Sequence, residues 1–132
     1  MAMRLHTPTF ALSQLSRAVD SRPAGQRRPV MSDLRDSGSI EQDADSILLL
    51  YRDEVYNADS PAAGIAEIII GKSRFSAAGK IVYQEFKHGH FMPVDQTVAK
   101  EKTRIQGAAQ RPEPRQRQPR RYSKSSYSTE AF

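Results

Sequence analysis

The chain contains no cysteine. Disulfides and cysteine-ligated metal sites are therefore excluded, and a reducing compartment is compatible with the composition. Long apolar runs are missing as well. The longest, residues 47–51 and 65–70, are far shorter than the roughly 20 residues that cross a bilayer. No secretory apolar core is present near the N-terminus, so the chain reads as soluble, with no membrane among its partners. Acidic residues are absent before Asp20. That gap, together with scattered Arg, Ser and Thr, is the composition of an organelle transit peptide, a reading that competes with a buried strand in the same residues. Length is short too: 132 residues hold one modest domain and no second.

What is present is unevenly spread. Residues 97–132 carry nine basic against three acidic residues, while residues 1–96 carry eleven against twelve. The basic character therefore belongs to the tail. There Arg, Gln, Pro and Ser replace apolar residues, as in QRPEPRQRQPRRYSKSSYS. Such a segment buries too little surface to offset its ordering entropy, and disorder is expected from residue 97 on. Arginine interleaved with Tyr122 and Tyr127 could hold nucleic acid nonspecifically, by charge and stacking. A plain solubilising tail fits equally.

Residues 1–96 read as the domain. A short apolar run at residues 10–15 suggests a buried strand that presents Ser13 and Gln14 at its carboxyl end, where ligands sit in open sheets; Gln14 is equally compatible with a strand-end residue satisfied by water. Residues 16–28 form a loop marked by Pro23 and Gly25, and its arginines at 17, 22, 27 and 28 could be a solvated face. The continuous run ILLLY at 47–51 predicts a strand buried on both faces. Residues 65–70 predict another, β-branched at four of six positions, in which Glu67 requires a polar partner or an exposed edge. Residues 80–86 and 91–94 flank Lys87, His88, Gly89 and His90 as a hairpin. His88 and His90 have a spacing used for metals, but with no third ligand they read as hairpin-tip residues, and no metal site is expected.

The stretch around which these elements are arranged is RPVMSDLRDSGSIEQDAD, residues 28–45. Ser32 can cap a first turn, Gly38 breaks it, and Ser39 can cap a second with Gln42 at the capping-box position. The result is an exposed bend with backbone amides and one arginine, groups that suit phosphate oxygens. A solvated connector between two buried strands would look the same.

This stretch, followed by ILLLYRDEVYN and GIAEIIIGKSR and preceded by ALSQL, resembles the C-terminal part of the bacterial replicative DNA helicase, the DnaB type. The resemblance runs from about residue 5 to residue 95. It implies an α/β fold: an incomplete RecA-like core, mostly β here, with about five strands, one or two short helices and the disordered tail. It implies that Lys72 and Arg74 of the GK-x-R segment reach the nucleotide site of a neighbouring subunit in trans, an arginine finger of the kind worth about 10³ to 10⁵ in turnover. Gln14 would be the sensor that couples the γ-phosphate to a loop of Arg35, Asp36, Ser37 and Gly38 gripping single-stranded DNA. ATP and Mg2+ are the cofactors of the complete family enzyme, and neighbouring subunits of a hexamer and single-stranded DNA are its partners, in the bacterial cytoplasm. Asp36 replaces the family's usual Glu, and residues 75–78 lack its usual Asn, Gly and Pro, a departure that bears on the hairpin's shape.

The family's phosphate loop, catalytic glutamate and magnesium-binding aspartate lie upstream of the resembled region. Residues 66–73, AEIIIGKS, match a relaxed phosphate-loop pattern, yet the physics opposes it. A phosphate loop folds its amides around an anion with glycines in irregular dihedrals, whereas Glu67, Ile68, Ile69 and Ile70 favour a straight strand. The chain alone is thus expected neither to bind ATP tightly nor to hydrolyse it. The expectation is a C-terminal piece of a replicative helicase core, as a truncated, split or decaying gene product. The alternatives are a non-enzymatic nucleic-acid-binding or helicase-interacting protein and an inactive remnant.

Overall fold

In the computed structural model, residues 6–34 and 38–109 are described. A four-stranded antiparallel sheet forms the centre, in the order β1 (Ser46–Tyr51), β2 (Ile65–Ser73), β3 (Ile81–Lys87) and β4 (His90–Met92). A short helix, α1 (Gly38–Asp43), precedes β1, and a longer one, α2 (Gln96–Ala109), follows β4. Three single 3-10 turns, Arg17–Val19, Met31–Asp33 and Asp53–Val55, shape the loops.

The strands are where Ile, Leu and Val cluster, and the register explains which side chains meet. Leu49 lies opposite Ile69 and Tyr51 opposite Glu67, while Glu67 faces Tyr83 and Ile69 faces Ile81 across the next ladder. These side chains share one face, because alternate residues of a strand point the same way. That face carries two small cores. Leu34, Ile47 and Leu49 are buried at one end, with Leu15, Met31, Ala44 and Ile69 packed against them. Ala62, Ile65, Tyr83 and Ala99 are buried at the other, with Ile81 and Val94 alongside. The β3–β4 connection is a two-residue turn with positive φ at His88 and Gly89, the pairing that matches the twist of a hairpin.

Several expectations change. Residues 10–15 do not form a strand: the segment runs extended, Phe10 and Leu12 are 94% and 104% exposed, and only Leu15 makes an isolated bridge, to Leu34. A strand needs a ladder partner, and among the described residues none lies beside it. Strand β1 is buried on one face rather than two, with Leu48 and Leu50 exposed by 58% and 56%. The caps differ as well. The turn Met31–Asp33 starts from Val30, whose backbone N–H donates to the Asp33 carboxylate at 2.7 Å, and α1 begins at Gly38 with Ser39 inside its first turn.

The largest revision concerns residues 97–109, expected to be disordered and instead helical. Asp95 caps the helix, its Oδ1 accepting from the N–H groups of Thr97 and Val98 at 2.8 and 2.9 Å. Ala99, Thr103 and Gln106 then recur at the three- and four-residue spacing of one helix face and are buried. Small and polar residues do the packing, so the low apolar content misled. The folded unit extends to Ala109; residues 110–132 lie outside the described residues.

Candidate functional site

The site grows from the junction of α1, β1 and β2. Strand β2 continues past Ile70 through Gly71, Lys72 and Ser73, and a register shift between Ile47 and Leu48 lets Ile47 pair with Lys72 and Ser46 with Ser73. The junction is sealed by backbone: the Arg74 N–H donates to the Asp45 carbonyl at 2.9 Å. Helix α1 ends against this edge, and the Lys72 ammonium donates to the carbonyls of Glu41 and, at 3.3 Å, Gln42. A cation at a helix C-terminus satisfies carbonyls that lack intrahelical partners and meets the negative end of the helix dipole. Between α1 and β2 lies an open cleft of about 570 Å³, lined by Met31, Gly38, Glu41, Gln42, Gly71 and Lys72. Gly71 is where the walls come closest, since a Cβ there would stand 2.5 Å from the Met31 sulfur.

The expected site residues fall into three groups. Lys72 and Gly38 line one cleft. Arg74 stands outside it, its guanidinium 2.7 Å from the Asp45 carboxylate in a pair whose side chains are both about half exposed, 52% and 55%. An ion pair so exposed is worth at most about 1 kcal/mol, so Arg74 is free to exchange partners. Gln14 is exposed and adjoins Leu15, whose bridge to Leu34 joins its segment to the entrance of the bend. Arg35, Asp36 and Ser37 lie outside the described residues.

The base of the bend is rigid for an electrostatic reason. Asp33 is buried and accepts from the Arg22 guanidinium, at 2.9 Å through Nη1, and from the Val30 amide. Burial alone would push its carboxyl up, but the hydrogen bonds from Arg22 and Val30 and the charge of Arg22 outweigh it and hold the group below the usual carboxylate range.

A second polar cluster, absent from the expectations, lies under the sheet. Glu67, buried, accepts from Arg28 Nε and Nη2 at 2.7 Å each. Arg28 also donates to Gln106 Oε1 at 2.9 Å, and Gln106 Nε2 donates to Asp53 Oδ1 at 2.7 Å, where the Tyr51 hydroxyl also donates at 2.6 Å. The bond to Glu67 raises the Arg28 pKa against its burial; burial and the bond to Asp53 push the Tyr51 phenol well above its ordinary value. Arg28 is thus a structural cation rather than part of a solvated face. The signal was Glu67 itself, an acid inside a β-branched strand that had to find a cation.

Residues 65–73 do not fit a nucleoside triphosphate as a phosphate loop would. They form a straight strand that pairs with β1 and β3 and runs on into β3 rather than into a helix. Among the described residues no group of three His, Asp or Glu side chains could hold a metal ion, and no helix is long and apolar enough to cross a membrane.

A one-sided sheet with a bend and two cations at one strand end is the carboxyl-terminal portion of a RecA-like helicase core, and comparison with known proteins specifies which. The family model for the DnaB-like helicase C terminal domain matches residues 1–91; the chain belongs to that family. It is 57% identical over 81 residues to the replicative DNA helicase DnaB of Haemophilus influenzae and 53% identical to that of Geobacillus stearothermophilus, a match covering 61% of this chain and 17% of each relative. The chain therefore spans under a fifth of the length of these relatives. Among solved structures it superposes on a helicase ATPase domain (TM-score 0.64, 43% identity, 71% of this chain, 33% of that one). It likewise superposes on a DnaB-like replicative helicase described with its interactions with primase (TM-score 0.65, 43% identity, 71% of this chain, 23% of that one).

Proposed function

We propose that this chain contributes the DNA-gripping bend and the trans-acting cations of a replicative DNA helicase, in the bacterial cytoplasm. In a complete ring, Arg35, Asp36, Ser37 and Gly38 contact the single-stranded DNA backbone. Arg74 neutralises charge on the phosphoryl group held by the neighbouring subunit, with Lys72 beside it. Gln14 relays the state of that phosphate to the bend through the Leu15–Leu34 bridge. ATP and Mg2+ belong to the site on the other subunit, and the hexamer completes it. The observation that carries the reading is the cleft in which Gly38, at the end of the bend, and Lys72, at the end of β2, share one wall. Energetics favour Arg74 over Lys72 as the finger: Arg74 gives up only an exposed ion pair, whereas Lys72 would abandon two helix-terminal carbonyls.

The test combines this chain with a Haemophilus influenzae replicative helicase from which the 81 matched residues have been removed, and follows DNA-stimulated ATP hydrolysis. Restored turnover should fall about 10³-fold with Arg74→Ala, the low end for an arginine finger, and less with Lys72→Ala. Arg35→Ala should weaken oligo-dT binding while leaving DNA-free hydrolysis intact. Magnesium-dependent hydrolysis by the chain alone, abolished by Lys72→Ala, would refute the proposal.

A further inference from the structure

The sheet's second face is open, and three features point to the same occupant. Leu48 and Leu50 of β1, Val82 of β3 and Phe91 of β4 are exposed, and half-buried Ile68 and Ile70 lie between them on β2. An antiparallel sheet that meets water carries polar residues on that side; six apolar side chains in one patch mark a contact surface. Strand β1 is also the edge of the sheet, so its outer backbone has no strand beside it among the described residues, an arrangement that invites another strand. Residues 10–15, finally, are strand-like in pattern yet extended and without a ladder.

We propose that this face and the β1 edge are the docking surface for the share of a DnaB-type ATPase domain that has no counterpart in these 132 residues. That share is two-thirds of the solved ATPase domain on which the chain superposes, of which it covers 33%. The occupant supplies a strand against β1, which brings residues 10–15 into the same sheet, and an apolar helix face over Leu48, Leu50, Ile68 and Ile70. Its size is what a sheet of this kind needs for two-sided cover. A groove of about 360 Å³ at the end of the face, lined by Leu50, Val55, Tyr56, Phe86 and Phe91 among others, receives the end of that helix.

The inference rests on the family membership and not on the roles of Arg74 or the bend. Its test therefore contains neither nucleotide nor DNA. The full chain is mixed with the same Haemophilus influenzae helicase lacking its 81 matched residues, and association is followed by size exclusion with light scattering and by hydrogen exchange. A 1:1 complex is expected, with slowed exchange across β1. Leu48→Glu with Leu50→Glu should weaken it roughly a hundredfold, while Val98→Glu, on the exposed side of α2, should not. Because Leu48 and Leu50 are exposed, the double variant should keep the circular dichroism of the parent. Absence of a complex overturns the proposal, as does a complex indifferent to the double variant, slowed exchange elsewhere than β1, or self-association of the chain as the sole outcome.

Discussion

Replacing Glu67 by Gln preserves shape and removes one charge, which isolates the electrostatic part of the cluster under the sheet. The Glu67 side chain is 2% exposed and Arg28 29%, so Glu67→Gln leaves a cation half-buried and without its countercharge. Removing one partner of a buried pair costs about 3 to 5 kcal/mol; because the Arg28 head keeps some access to water, the low end, about 3 kcal/mol, applies. For a unit of this size each kcal/mol lowers Tm by roughly 4–8 °C, so the midpoint should fall by more than about 10 °C. The assay is thermal unfolding by circular dichroism at neutral pH, checked by urea unfolding with unchanged slope. A cycle with Arg28→Met completes the test. The double variant should lose clearly less than the sum of the two single losses, since each single change orphans the same partner. A fall of under about 3 °C, or strict additivity, would refute the assignment of Arg28 and Glu67 as the tie between β2 and α2.

Three further outcomes follow from the same structure. Gly71→Ala should cost about 1–3 kcal/mol by forcing Met31 out of place, with Met31→Ala restoring most of it; the 2.5 Å and 3.3 Å approaches of the Met31 sulfur and Cγ to a Cβ at position 71 carry this, and thermal melts of the two variants check it. Acid should destabilise the fold through Asp33 and Glu54. The folded state lowers both carboxyls from ordinary values of 3.8 and 4.5, Glu54 through Arg52 and the Gly64 amide. The unfolded chain then binds more protons, so their contribution is complete above those values and is lost as pH falls below about 4; Asp33→Asn should flatten that part of the stability profile measured by urea titration. In an alkaline absorbance titration Tyr51 should ionise well above the ordinary tyrosine range, since burial and the Asp53 carboxylate both oppose the phenolate. Tyr51→Phe should delete that late component.

The sequence by itself determined the family, through the order of ALSQL, the 28–45 stretch, ILLLY and GKSR, and it determined most of the sheet. Local patterns suffice there: β-branched runs at 65–70 want extended backbone, and the KHGH turn residues want positive φ. The hairpin-linked strands appear where expected, and the rejection of residues 66–73 as a phosphate loop agrees with their straight geometry. Tertiary structure alone decided the rest, because burial is a property of neighbours. ILLLY is written for cover on both faces and has it on one; residues 10–15 have a strand's pattern and no ladder; Arg28 looks like any loop arginine until Glu67, Gln106 and Asp53 close around it. Residues 97–109 look too polar to fold, yet Ala99, Thr103 and Gln106 pack against the core because small and amide side chains fill a gap in which hydrogen bonds, not apolar area, are the currency.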